Sequence, residues 1–157
     1  MKLRFLIAVI PFAAAALMGC SDDDVKATNQ DPGGPVKNEP LKGTIDGKAF
    51  QGKIAMVTKR GDDSRLTIYD QEGTCAAPPD TELRVLITVK GWAPSLSYNF
   101  DFTRNATLFV KSKGLNAISV AGRLEVSADG KSVGIRANTD RSGGVEGTVP
   151  VLNCTTT

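Results

Sequence analysis

The sequence predicts an all-β domain, either an antiparallel β-sandwich or a small β-barrel of about eight or nine strands. Three observations carry this expectation. From Leu41 onward the apolar residues recur with a period of two rather than 3.6. Tight-turn dipeptides such as Asp46-Gly47 and Asp129-Gly130 sit between the alternating runs. After residue 20 no window of ten or more residues carries an apolar stripe at helical spacing.

Taken in chain order, the punctuation and the runs define the elements. Asp46-Gly47 is the signal for a type I′ hairpin, because both central residues of that turn need positive φ. Gly61-Asp62-Asp63 is a turn before the short apolar segment Leu66-Thr67-Ile68. Leu83, Val85, Ile87 and Val89 then alternate with Glu82, Arg84, Thr88 and Lys90, broken only by Leu86. After the loop Gly91-Trp92-Ala93-Pro94, the residues Leu96, Tyr98, Phe100 and Phe102 alternate with polar ones and are expected on one buried strand face. Ala106 to Lys111 is a shorter strand. Ile118, Val120, Gly122, Leu124 and Val126 form the apolar face of a third long one. Asp129-Gly130 is read as a second type I′ turn, leading into Ser132 to Asn138. Ser142-Gly143-Gly144 leads into Val145 to Val151. Gly122, Gly134 and Gly147 lie inside strands, where glycine marks a bulge, a bend or a close backbone approach, and so favour coiling over a flat sandwich. An immunoglobulin-type core is disfavoured because Trp92 sits in a Gly-Pro loop rather than on a strand between paired cysteines.

Composition narrows the chemistry. The chain has 157 residues, 19 Lys+Arg against 17 Asp+Glu, three cysteines and no histidine. Without histidine there is no Ser-His-Asp or Cys-His nucleophile, no two-His zinc site and no side chain that ordinarily titrates near neutrality. Catalysis would fall to carboxylates, Lys or Tyr alone.

The N-terminus is a targeting segment. Lys2 and Arg4 precede an uncharged apolar run from Phe5 to Met18, too short for a comfortable membrane span of about 20 residues. Leu17-Met18-Gly19-Cys20 resembles the lipobox of bacterial lipoproteins: an apolar residue three before the cysteine, a small one just before it, and the right distance from a basic start. The resemblance covers only this segment. It implies a signal peptide over 1–19 that is cleaved, a lipid attached at Cys20, and membrane contact through acyl chains, each buried CH₂ contributing about 0.8 kcal/mol. Cys20-Ser21-Asp22-Asp23-Asp24 is further similar to the acidic export signal of surface lipoproteins of the Bacteroidota. Ser21 rather than aspartate after the cysteine favours the outer membrane under the enterobacterial sorting rule, with the domain facing either the periplasm or the surface. Cleavage would remove Lys2 and Arg4, leaving 17 basic and 17 acidic residues. A neutral chain offers no basic patch for nucleic acid.

Residues 20–40 are expected to form the anchor and a flexible polar tether, turn-rich at Pro32-Gly33-Gly34-Pro35, ahead of a single all-β domain over 41–157. With Cys20 given to lipid, Cys75 and Cys154 remain as an even pair in an oxidising compartment, and a disulfide between them is expected. It would close a loop of about 80 residues and secure the C-terminus, leaving Thr155-Thr156-Thr157 to fray.

No catalytic residue, metal site or cofactor follows from the motifs. Asp62-Asp63 and Asp129 occupy turns, where aspartate bonds the local backbone, and no phosphate-loop, dinucleotide, nucleophile-elbow or calcium-loop pattern is present. The aromatics are concentrated: Trp92, Tyr98, Phe100, Phe102 and Phe109 fall between positions 92 and 109. Tyr98, Phe100 and Phe102 read as core. Trp92 and Phe109 stand outside that pattern and are the candidates for a contact surface. The leading expectation is a non-catalytic binding or interaction module of the bacterial envelope with a protein or glycan partner. A lipocalin-like carrier of a small apolar ligand and, more remotely, a carboxylate-based hydrolase are the alternatives.

Overall fold

The computed structural model describes residues 33–154. The signal segment, Cys20, the acidic run Asp22–Asp24, the first part of the tether and the Thr155–Thr157 tail lie outside the described residues.

Strands form where the alternation is strongest and end where it lapses. They are β1 (Lys42–Ile45), β2 (Lys48–Gln51), β3 (Ile54–Arg60), β4 (Asp63–Tyr69), β5 (Leu83–Lys90), β6 (Ser97–Asn99), β7 (Ala106–Val110), β8 (Leu115–Ser119), β9 (Ala121–Val126), β10 (Ser132–Thr139) and β11 (Gly143–Asn153). Nine of them follow one another in a curled sheet, β6-β9-β10-β11-β3-β4-β5-β7-β8, and the β1–β2 hairpin adds to β11. The described residues are all-β, as the periodicity predicts, with eleven strands rather than eight or nine.

Two long strands turn the corners that fold this sheet over on itself. The first part of β11 pairs β10 and β1 antiparallel, while Val151, Leu152 and Asn153 pair Ala55, Met56 and Val57 of β3 in parallel. That short parallel contact is the one departure from antiparallel pairing among the strands of the described residues. At the other corner β8 runs through Val120 into β9: Ser119 pairs Ala106 of β7, whereas Ala121 pairs Asn138 of β10. The curl produces two layers. One holds β6, β9, β10, β11, β1 and β2. The other holds β3, β4, β5, β7 and β8.

Between the layers lies one apolar core. Phe50, Leu41, Ile45, Leu66, Ile68, Ile87, Leu108, Leu124 and Ile135 are its largest fully buried side chains. Burying each contributes roughly 1.5–3 kcal/mol, and together they occupy the interior. A smaller cluster of Ile54, Met56 and Tyr69, with Leu152 and Cys154 against it, lies on the outer side of β3 and β4.

Several local expectations are corrected. The run Leu96 to Phe102 is a strand only over Ser97–Asn99. Phe100 is buried and Tyr98 half-buried, but Phe102 is 88% exposed. The reason is Asp101. Its Oδ1 accepts hydrogen bonds from the Thr103 N–H (2.8 Å), the Thr103 hydroxyl (2.7 Å) and the Arg104 N–H (2.8 Å). The chain is thereby pulled into a turn before Phe102 could continue the strand. These bonds from Thr103 and Arg104 hold the Asp101 carboxyl well below the usual carboxylate range.

The long Ile118–Val126 face is also broken. Ser119 and Ala121 are both buried at the corner, so the alternation shifts by one residue and Ile118 points outward, 58% exposed. Gly122 follows at φ 140°, where an added Cβ would lie 1.9 Å from the Arg136 carbonyl oxygen. This is the close approach that an interior glycine signals. Asp46-Gly47 has the expected pair of positive φ values, 52° and 74°. At Asp129-Gly130 only the glycine does. Asp129 instead accepts bonds from the Lys131 N–H (3.0 Å) and the Ser127 hydroxyl (2.7 Å), closing a longer loop that is not type I′.

The segment ahead of β1 is laid along the outside of the first layer. Val36 is buried. Arg136, itself buried, donates from Nη2 to the Gly34 carbonyl (3.1 Å) and from Nη1 to that of Pro35 (3.2 Å), and pairs Glu146 at 3.4 Å. Lys37 reaches the same Glu146 at 3.1 Å. Burial pushes the Glu146 carboxyl up, but Lys37 and then Arg136 outweigh it and leave the group below its ordinary value. Pro40 bridges Thr148, so ordered structure begins within the stretch read as tether.

Candidate binding groove

The outer face of the second layer is assembled from side chains that point away from the core. Cross-strand register lines them up in rows. Tyr69 of β4 faces Arg84 of β5, which faces Phe109 of β7, which faces Asn116 of β8. The next row runs Met56, Thr67, Leu86, Thr107 and Ile118, and a third runs Thr58, Arg65 and Thr88. Neighbouring strands stand about 4.8 Å apart, so the five strands span about 19 Å.

Two adjoining clefts of about 320 and 370 Å³ lie on this face and share Arg65, Leu86 and Asn116. Together they make one groove. Its wall is the loop between β4 and β5, which carries Cys75 and Pro78. The loop is tied down in two ways. Cys75 forms a disulfide with Cys154, their Cα atoms 5.2 Å apart, joining the loop to the end of β11. Within the loop, Thr74 and Ala77 exchange backbone hydrogen bonds of 3.1 and 3.3 Å.

Arg84 organises the aromatic row. Its guanidinium lies 5.6 Å from the Tyr69 ring centroid and 6.0 Å from that of Phe109, a cation–π arrangement with both. Its Nη2 donates to Asp80 at 2.6 Å and its Nε to the Thr81 carbonyl at 3.2 Å. Asp80 also pairs Lys111, and hydrogen bonding to Lys111, with Arg84 adding to it, lowers the Asp80 carboxyl below its ordinary value. Thr81 is buried and donates to the Leu83 carbonyl at 2.9 Å, which anchors the loop's return into β5.

The two aromatics singled out in the sequence lie apart. Phe109 is half-buried and lines the groove. Trp92 is half-buried against the core in the loop after β5. Arg84, which faces Phe109, and Trp92 stand at opposite ends of β5, about 20 Å of strand apart. Sequence reasoning passed over Tyr69, Arg65, Arg84, Thr107 and Asn116, which look like an ordinary solvated strand face. One signal was present: Leu86, the apolar residue that breaks the β5 alternation, marks an outward face that is not wholly polar. No known protein family, curated protein or solved structure matches the chain.

Proposed function

We propose that the chain is a lipid-anchored protein of the bacterial envelope whose domain is a non-catalytic binding module, taking an extended glycan along the groove of the second layer. The groove's floor carries the argument. Thr58, Thr67, Thr88, Thr107, Asn105 and Asn116 are hydroxyl and amide groups able both to donate and to accept. Sugar hydroxyls have the same dual character, and the Tyr69 and Phe109 rings beside them suit the apolar C–H face of a sugar. The groove crosses five strands, a length suited to a polymer. The interior is occupied by Phe50, Leu66, Ile87 and their neighbours, which favours the outer face over a carrier cavity. The lipobox-like Leu17-Met18-Gly19-Cys20 supports the anchor.

Affinity electrophoresis of the detergent-solubilised protein through gels containing neutral or charged polysaccharides tests this reading. At least one polymer should retard the wild type, and Phe109→Ala or the exposed Asn116→Ala should restore free mobility with an unchanged unfolding midpoint. Equal mobility in every gel would overturn the glycan reading. Mass spectrometry of the N-terminal peptide should show a diacylated Cys20. An unmodified Cys20 thiol would sink the anchor.

A further inference from the structure

We propose that the glycan is acidic and that Arg65 receives its carboxylate. This rests on the reading of the groove as a glycan site and adds the class of sugar. Arg65 occupies the position where the two clefts meet, half-buried on the groove floor. The other arginines that are buried or half-buried all have acceptors. Arg84 has Asp80, Arg123 has Glu125, Asn99 and Ser97, and Arg136 has Glu146 and two backbone carbonyls. Among the described residues the Arg65 guanidinium makes no hydrogen bond, ion pair or cation–π contact; the one hydrogen bond at this residue that involves a side chain is donated by the Thr58 hydroxyl to its carbonyl.

A guanidinium carries five N–H donors, cannot shed its charge, and forms its strongest contacts as a fork on a planar carboxylate. One left unpaired while partly withdrawn from water is poised for such an acceptor. The surroundings agree in sign and in chemistry. Arg60 and Arg65 outnumber Asp63 in the cleft that all three line. Thr58 and Thr88 stand across from Arg65 on the neighbouring strands, so the charged fork is flanked by hydroxyls. A uronic acid presents this combination, a carboxylate next to ring hydroxyls. An acidic peptide would present backbone amides, which seek a strand edge rather than a sheet face.

The test measures binding of the full processed protein to polygalacturonate, alginate and hyaluronate, with fully methyl-esterified polygalacturonate as the uncharged counterpart and dextran sulfate as a polyanion without carboxylates. At least one uronate polymer should bind, its binding weakened by about tenfold or more in Arg65→Gln, in line with loss of a charged hydrogen bond. The methyl ester should bind wild type no better than the acid binds Arg65→Gln. Arg65→Lys should recover only part of the loss, because an ammonium cannot form the fork. Dextran sulfate binding that falls equally in Arg65→Gln would make the site a general anion site and overturn the carboxylate assignment. If ester and acid bind alike, or only neutral polymers bind, and Asn116→Ala still weakens binding, the acidic class is overturned while the groove stands. If no polysaccharide binds, both fall together.

Discussion

Tyr98 shows how one atom can work against the fold that holds it. Its ring packs against the core and meets Phe100 edge-on, the centroids 6.0 Å apart, while the Arg104 guanidinium sits 5.1 Å above it. The phenol oxygen is buried with no hydrogen-bond partner among the described residues. A buried hydroxyl without a partner carries its desolvation cost uncompensated. Burial also pushes the phenol up to about 12 from its model-peptide value of 10.0, against a smaller opposing effect of Arg104. The folded state therefore holds the proton more tightly than the unfolded chain does. Its contribution is fully present below pH 10 and is lost as pH rises toward 12. Tyr98→Phe should keep or raise stability by up to about 1 kcal/mol at pH 7 and should unfold with a weaker pH dependence between 10 and 12. Urea melts of the two proteins at neutral and alkaline pH check both statements. A clear loss at pH 7 would mean that the hydroxyl has a partner.

At the scale of the element, the β8–β9 corner shows both what the sequence discloses and what it conceals. Period-two runs locate β4, β5, β7, β10 and β11 because each keeps one face inward for its whole length. Between Leu115 and Val126 the chain serves two layers: Ser119 and Ala121 face inward on one side of the corner, Leu124 and Val126 on the other, and no hydrophobic pattern would place that serine in a core. Ser119 is fully buried. Its hydroxyl donates to the Ala121 carbonyl (2.7 Å) and accepts from the Asn138 N–H (2.9 Å), bonding across the gap where the ladder is interrupted. Ser119→Ala strands both backbone groups, which should cost about 1–3 kcal/mol. A shift in the denaturant midpoint without a change in slope would register that cost, and an unaltered midpoint would deny the corner role. The groove was legible only through Leu86 and Phe109. Its rows join Tyr69, Arg84 and Phe109 across pairings distant in sequence, and a row exists only once register is set.

At the scale of the molecule, the two outer faces have different neighbours. Arg136 holds Gly34 and Pro35 against the outside of β10, so the segment that precedes β1 lies on the first layer. The groove lies on the second. Since both layers share one core, these faces look in opposite directions, and the groove lies on the side away from Gly34 and Pro35. The Cys75–Cys154 bond joins the groove wall to the last strand across a sequence separation of 79. A loop of that size corresponds to about 4–5 kcal/mol of unfolded-state entropy, a large part of the roughly 5–15 kcal/mol available to a domain. Replacing both cysteines by alanine should lower the guanidinium unfolding free energy by about that amount. Reducing agent should do the same to the wild type and nothing further to the double variant. Polysaccharide binding should weaken in the variant even where most of it is folded, because the Cys75 end of the loop that walls the groove would lose its tie to β11, while the contacts of Asp80 with Arg84 and Lys111 hold only the end that returns into β5. Full binding in a folded double variant would show that the wall stands without the disulfide, and a stability loss under about 1 kcal/mol would show that the strands alone restrain the C-terminus.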